Sequence, residues 1–144
     1  MKSDGTILLV EDNPDDVFFM QRAFKAAAIE NPLQVAVDGQ EAIDYLAGVG
    51  KFADRDAFPL PCLMLLDLKL PRKTGHEVLK WIRDRPDLAT LIVIALTTSR
   101  ETKDITEAYR LCVNAYLVKP TSPAELANIM TKIRDFWIDL NVVD

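Results

Sequence analysis

A chain of 144 residues, 49% hydrophobic and 27% charged, suits one domain that hides roughly 70% of its extended surface on folding. Its net charge of −5 and pI near 4.9 argue against the basic patch with which nucleic-acid-binding proteins neutralise phosphates. Met1-Lys2-Ser3-Asp4-Gly5 lacks an apolar signal core and no apolar run approaches the ~20 residues of a membrane span, so a soluble cytoplasmic protein with no membrane or nucleic-acid partner is expected.

The first element is a strand over residues 6–10, an apolar run that ends in Glu11-Asp12. Asn13-Pro14 then offers a capping side chain followed by proline at the first helical position, where its missing N–H costs nothing; Asp15 and Asp16 face the positive end of that helix. Val17, Met20, Phe24 and Ala27 recur at helical spacing. A second strand is expected at 33–37, followed by a helix. The connection over 48–61, with Gly-Val-Gly, several charges and Pro-Leu-Pro, reads either as a packed surface loop or as a partner-binding insertion.

The third strand, 62–66, ends at Asp67. Thr74 precedes Glu77 by three residues, as a capping box requires, and Val78, Leu79 and Ile82 form a stripe before Arg85-Pro86 stops the helix. His76, in the first turn, reads as a surface residue and not a phosphocarrier. A fourth strand, 91–96, leads to Thr97, and a fifth, 115–118, leads to Lys119-Pro120. Ser122-Pro123-Ala124-Glu125 caps the last helix. There Leu126, Ile129, Met130, Ile133, Phe136, Trp137 and Leu140 make an apolar band wider than one core-facing stripe, which points to a second covering surface. Cys62 and Cys112 lack the paired spacing of a zinc or redox site and read as buried thiols in a reducing compartment.

Strands alternating with helices imply βαβ units and a parallel sheet with helices on both faces, and ligands of such sheets bind outside the strands' carboxyl ends. One sheet edge then receives Glu11, Asp12, Asp67, Thr97 and Lys119. Magnesium (Mg2+) takes oxygen ligands and binds through one or two carboxylates plus phosphate and water; Asp12 and Asp67 can supply them, with Glu11 acting through a metal-bound water. Beside such a metal a carboxylate can accept a phosphoryl group as an acyl phosphate, and Asp67, ending the central strand, is the candidate acceptor. The Lys119 ammonium and the Thr97 hydroxyl are then the groups to neutralise and orient the phosphoryl oxygens.

These residues carry a resemblance. Leu-Leu-Val-Glu-Asp-Asn, Leu-Leu-Asp-Leu-Lys-Leu-Pro-Arg-Lys-Thr-Gly, Leu-Thr-Thr-Ser and Tyr-Leu-Val-Lys-Pro together resemble the response-regulator receiver domains of two-component signalling, over about residues 5 to 137. The resemblance implies a flavodoxin-like α/β fold: a five-stranded parallel sheet in the order 2-1-3-4-5, with five helices on both faces, in one receiver domain over 5–140 and a short tail over 141–144. It also implies that Asp67 is the phosphoacceptor, Thr97 and Tyr116 the switch pair, Lys119 the family's site lysine, and Pro120 a residue preceded by a cis peptide. Metal ligands are implied at Asp12, Asp67 and the backbone carbonyl of Lys69. The acidic pair, the long middle loop and the Phe136-Trp137 ending are similar to the single-domain regulators that partner phytochrome histidine kinases.

The expected function is a phosphorylation switch: a sensor histidine kinase donates to Asp67, Thr97 is recruited by the new charge, and Tyr116 turns inward, repacking the face of the fourth helix, fifth strand and fifth helix. Output is then by protein contact, onward phosphotransfer, or a homodimer through that face and the C-terminal helix. Two other readings are an Asp-nucleophile phosphatase and an unphosphorylated dimeric interaction module. Lys69 two residues after Asp67 supplies no general acid for the phosphatase, and a long lysine there can screen the phosphoryl group from water.

Overall fold

The computed structural model describes residues 5–142. Strands β1 (Ile7–Val10), β3 (Leu63–Leu66) and β4 (Ile92–Thr97) are buried at every position, which is why they read as unbroken apolar runs; β2 (Leu33–Ala36) and β5 (Ala115–Val118), at the edges, are half-buried. All pair in parallel in the order β2-β1-β3-β4-β5. Successive strand residues alternate between the two layers. Ile7, Leu9, Leu63, Leu65 and Ile94 pack with Met20, Ala23 and Phe24 of α1 (Pro14–Ala26) and Met130 and Ile133 of α5 (Pro123–Ile133). Leu8, Val10, Met64, Leu66 and Val93 face the other way, against α2 (Gly39–Ala47), α3 (Gly75–Arg83) and α4 (Thr102–Arg110). The register aligns Val10 with Leu66 and Leu66 with Ala95, so Glu11, Asp67 and the end of β4 emerge at one edge.

The helix starts follow their caps. Asn13 Oδ1 accepts the N–H groups of Asp15 and Asp16, Thr74 and Glu77 form the reciprocal capping box, and Ser122 Oγ accepts the N–H of Glu125 at 3.0 Å. Gly75 opens α3 because nothing larger fits: a Cβ there would lie 2.5 Å from the Asp67 carbonyl oxygen and 2.6 Å from Leu68 Cα. Its N–H donates to the Leu68 carbonyl, so the helix start is moored to the turn that follows β3.

The 48–61 connection is a packed loop. Gly48 ends α2 in the left-handed region, and a 3-10 turn, Gly50–Phe52, brings Phe52 beside Tyr45 and Phe58, with ring centroids 5.1 to 6.0 Å apart. Arg55 donates to the carbonyls of Tyr45, Leu46 and Phe58, satisfying the exposed end of α2, while Tyr45 donates to the Pro59 carbonyl at 2.8 Å.

Three expectations are corrected. The last helix is not one continuous α-helix: α5 passes at Arg134 into a π-helix, Arg134–Leu140, closed by the Asn141 N–H on the Phe136 carbonyl. Five-residue π spacing puts Ile133 and Ile138 on one buried face and leaves Phe136 and Leu140 outside, 52% and 71% exposed. The cysteines are not buried: Cys62 is half-buried just before β3, and Cys112 is exposed, because it sits in a left-handed turn after α4. Among the described residues no peptide is cis, so the bond before Pro120 is trans, an alternative that lies only about 0.5–1 kcal/mol from cis before proline. His76 is half-buried, its Nε2 donating to the Asp104 carbonyl at 3.0 Å. Met1 to Asp4, on which the signal-core expectation rests, and Val143 and Asp144 of the tail lie outside the described residues; among the described ones no helix is long and apolar enough to cross a membrane.

Candidate functional site

The edge beyond the strands gathers the predicted acids around one lysine. Glu11 leaves β1 with its N–H on the Ala36 carbonyl and is 3% exposed; Asp67 leaves β3 and is 8% exposed; Asp12 points outward. Ligand oxygens of Glu11, Asp12 and Asp67 lie within 4.8 Å of one another. Lys119 enters from β5, fixed by its N–H on the Thr97 carbonyl at 2.8 Å, and its ammonium donates to Asp67 Oδ2 at 3.0 Å, to Asp16 Oδ2 at 3.2 Å and to Glu11 Oε1. The other Asp67 oxygen, Oδ1, accepts the backbone N–H of Lys69 at 3.1 Å, which fixes the turn after β3.

The electrostatics follow from crowding. Burial pushes the Glu11 carboxyl up from its ordinary value, and the Asp67 charge adds to this, against the lowering effect of Lys119. Burial alone would depress the Lys119 ammonium; the hydrogen bond to Glu11 and the charge of Asp67 outweigh it and hold the lysine above its usual range. One ammonium shared by three carboxylates leaves an excess of negative charge with only oxygen donors, which is the donor set that suits a hard divalent cation such as magnesium or manganese.

The hydroxyl side is a chain of contacts. Thr97 is fully buried at the end of β4 and its Oγ1 accepts the Ser99 N–H at 3.4 Å. Tyr116, half-buried on β5, donates its hydroxyl to the Ser99 carbonyl at 3.0 Å. Thr97 and Tyr116 are therefore joined through Ser99. The Ser99 hydroxyl donates in turn to Asp104 Oδ2, the oxygen that also takes the Lys69 ammonium at 3.2 Å.

Sequence reading found Glu11, Asp12, Asp67, Thr97, Tyr116 and Lys119, each at or beside a strand end. It assigned Asp16 only to the helix dipole, whereas the structure turns it onto Lys119, and it missed Ser99 and Asp104. The recurrence of acids at the start of α1 was a signal for Asp16; nothing local marks Asp104 as the partner of a lysine 35 positions earlier.

Below the acids a cleft of about 330 Å³ opens between α1 and α5, lined by Phe19, Met20, Leu65, Pro123 and Leu126 and reaching Glu11, Asp67 and Lys119.

The response regulator receiver domain family matches residues 7–131. Response regulator Rcp1 of Synechocystis sp. is 38% identical over 133 residues, 92% of this chain and 88% of that protein. The crystal structure of the phosphorylated cyanobacterial phytochrome response regulator RcpA superposes with a TM-score of 0.88 at 36% identity, covering 96% of both chains. The Mn2+-bound form of Rcp1 superposes with a TM-score of 0.86 at 36% identity, covering 97% of this chain and 99% of that one. That relative's metal agrees with the oxygen-rich Glu11, Asp12 and Asp67 cluster, which fits a divalent cation. Sheet order, acid cluster and family match converge, and the chain belongs to the response regulator receiver domain family.

Proposed function

We propose that this receiver is the phosphorylation switch of a phytochrome-linked two-component system, acting in the cytoplasm, with Asp67 as phosphoacceptor. The observation that carries the reading is the meeting of three remote loop ends: Lys119 bridges Asp67 and Glu11 across 52 and 108 residues of sequence. An Asp67 oxygen attacks the phosphorus of a kinase phosphohistidine, the N–P bond breaks with its electron pair returning to the imidazole, and an acyl phosphate remains. Asp12, Asp67 and the Lys69 carbonyl would hold a magnesium ion, with Glu11 on its water, and the bound ion would supply charge neutralisation for the phosphoryl oxygens. Lys119 accompanies one of those oxygens. The Thr97 hydroxyl turns to another, and the Ser99 segment carries that movement to Tyr116 and the α4–β5–α5 face.

Residues 5–140 act as the single receiver unit, which takes part in its own phosphorylation and dephosphorylation and otherwise catalyses nothing. A phosphatase of this kind needs an acid two residues after the nucleophile, where Lys69 stands. The experiment is phosphotransfer from phytochrome-type and unrelated sensor kinases loaded with labelled ATP. Preferential labelling by the phytochrome kinase is expected; equal transfer from all donors would remove the phytochrome assignment.

The output surface in this reading is a homodimer through the α4–β5–α5 side and the C-terminal extension. Its support is the exposure of Tyr109 on α4 and of Phe136, Leu140 and Val142 near the C-terminus, large apolar side chains that a lone chain leaves wet. Sedimentation velocity of the phosphorylated and unphosphorylated chain is expected to show a dimer in at least one state, and a monomer in both overturns it.

A further inference from the structure

Asp104 is a buried carboxylate to which the phosphoacceptor chemistry gives no task. It stands in the first turn of α4, 7% exposed, and one of its oxygens serves two donors: the Ser99 hydroxyl at 2.5 Å and the Lys69 ammonium at 3.2 Å. Its backbone carbonyl takes the His76 ring, so the turn that carries it is tied to α3 as well. Lys69 begins at the other end of the story. Its backbone N–H is on Asp67 Oδ1, so its side chain springs from the rim of the phosphoacceptor, yet its ammonium is drawn away to α4.

The lysine side chain is 56% exposed, and an ion pair with one partner in water is weak enough to exchange readily. A phosphoryl group on Asp67 would bring a charge approaching −2 to the root of this side chain, against the single charge of Asp104. We propose that Asp104 is a positioning residue for the lifetime of that phosphoryl group: it holds the Lys69 ammonium on α4 and so limits how long the cation covers the phosphorus. The proposal rests on Asp67 being the phosphoacceptor.

The step governed is hydrolysis of the acyl phosphate. A water oxygen forms a bond to phosphorus as the bond from phosphorus to the Asp67 oxygen breaks; the electron pair returns to the Asp67 carboxylate, a water proton passes to solvent, and inorganic phosphate leaves. Lys69 neither gives nor takes a proton. An ammonium paired to the phosphoryl oxygens occupies the side from which water approaches, and Asp104 competes for it.

The test is the decay of the phosphorylated full chain, charged with acetyl phosphate and magnesium and followed by intact mass after the donor is removed. Asp104→Asn keeps the size and a hydrogen-bonding oxygen for Ser99 but frees the lysine, and is expected to slow decay about two- to fivefold, the span of a half-exposed ion pair. Lys69→Met speeds decay, Asp104→Glu returns the wild-type lifetime, and Asp104→Asn added to Lys69→Met changes nothing further. An equal effect of Asp104→Asn in both backgrounds, or none in either, overturns the proposal, since a role through Ser99 alone would not depend on the lysine. Lys69→Met replaces a side chain that is itself 56% exposed and leaves Asp104 its Ser99 hydroxyl, so if the Asp104 variants do not fold, a Lys69→Met lifetime equal to wild type overturns it as well. A wild-type chain that never takes phosphate removes the phosphoacceptor reading and this inference together, whereas an unaltered lifetime on a chain that does take it removes only the inference.

Discussion

Lys119→Met is expected to lower the stability of the metal-free protein by about 3–5 kcal/mol above neutral pH, the cost of leaving buried charge without its partner. The lysine is 15% exposed at its side chain and Glu11 and Asp67 are 4% and 10% exposed, so solvent does little to screen what remains. The sign with pH follows from the two groups. A lysine raised above 10.5 in the folded state contributes stability that is complete below pH 10.5 and is lost only as pH climbs through the raised value. Glu11 is already raised above 4.5 by burial, and a carboxyl raised in the folded state costs stability as pH rises from 4.5 through that value. Without Lys119 that cost deepens, so the gap between variant and wild type is small in acid and widens toward alkaline pH. Magnesium replaces the missing positive charge and narrows it. Urea midpoints in EDTA and in magnesium, across that pH range, provide the check; equal midpoints in EDTA would mean that the lysine neutralises nothing.

Arg83→Met is the second large effect, about 2–4 kcal/mol, and it falls at the opposite end of the sheet. From the last turn of α3 the Arg83 guanidinium donates to the carbonyls of Ala89 and Leu91 before β4, to those of Leu111 and Cys112 at the end of α4, and to Asn114 Oδ1, which also takes the Val93 N–H. These include terminal helix carbonyls with no intrahelical partner, and hydrogen bonds from a charged donor are worth more than neutral ones. Methionine preserves much of the apolar stem but takes the donor from the four carbonyls, while Asn114 keeps the Val93 N–H. Arg83→Lys is expected to recover less than half, because an ammonium lacks the planar fork that reaches several carbonyls at once. Chemical unfolding measures the loss. Phosphorylation per folded molecule should be unaltered, since the residue stands at the far edge of the sheet from Asp67; a slowed phosphorylation at full folding would show that the two ends are coupled.

The contrast between these two residues explains how much of the molecule was legible. β1, β3 and β4 were plain because a strand buried on both faces must be apolar at every position, and the residues that follow such strands are brought to one edge by topology alone. Asn13, Thr74 and Ser122 announced their helices because a cap acts over three residues. Glu11, Asp67 and Lys119 were legible as a set for the same topological reason. Arg83 was not, because four of its five partners are backbone carbonyls, up to 29 residues away, which carry no side-chain signature. The pairing of Lys69 with Asp104 escaped for a like reason: a surface lysine and a helical acid have ordinary sequence neighbours, and only the fold sets them 3.2 Å apart. The C-terminal segment was read as one helix, and nothing in its composition marks the passage at Arg134 into a wider turn, which sets Phe136 and Leu140 outside the face that Ile133 and Ile138 share. The 48–61 loop hid its order in two aromatics and one arginine, none of which is periodic.

Intact mass spectrometry after incubation with acetyl phosphate and magnesium tests most directly whether Asp67 is the group on which the switch turns. Wild type is expected to gain one phosphoryl group, and Asp67→Asn, which preserves shape and removes the nucleophilic oxygen charge, none. Equal labelling of both proteins, or a wild-type chain that stays unmodified while its magnesium-dependent stability is intact, would contradict the account.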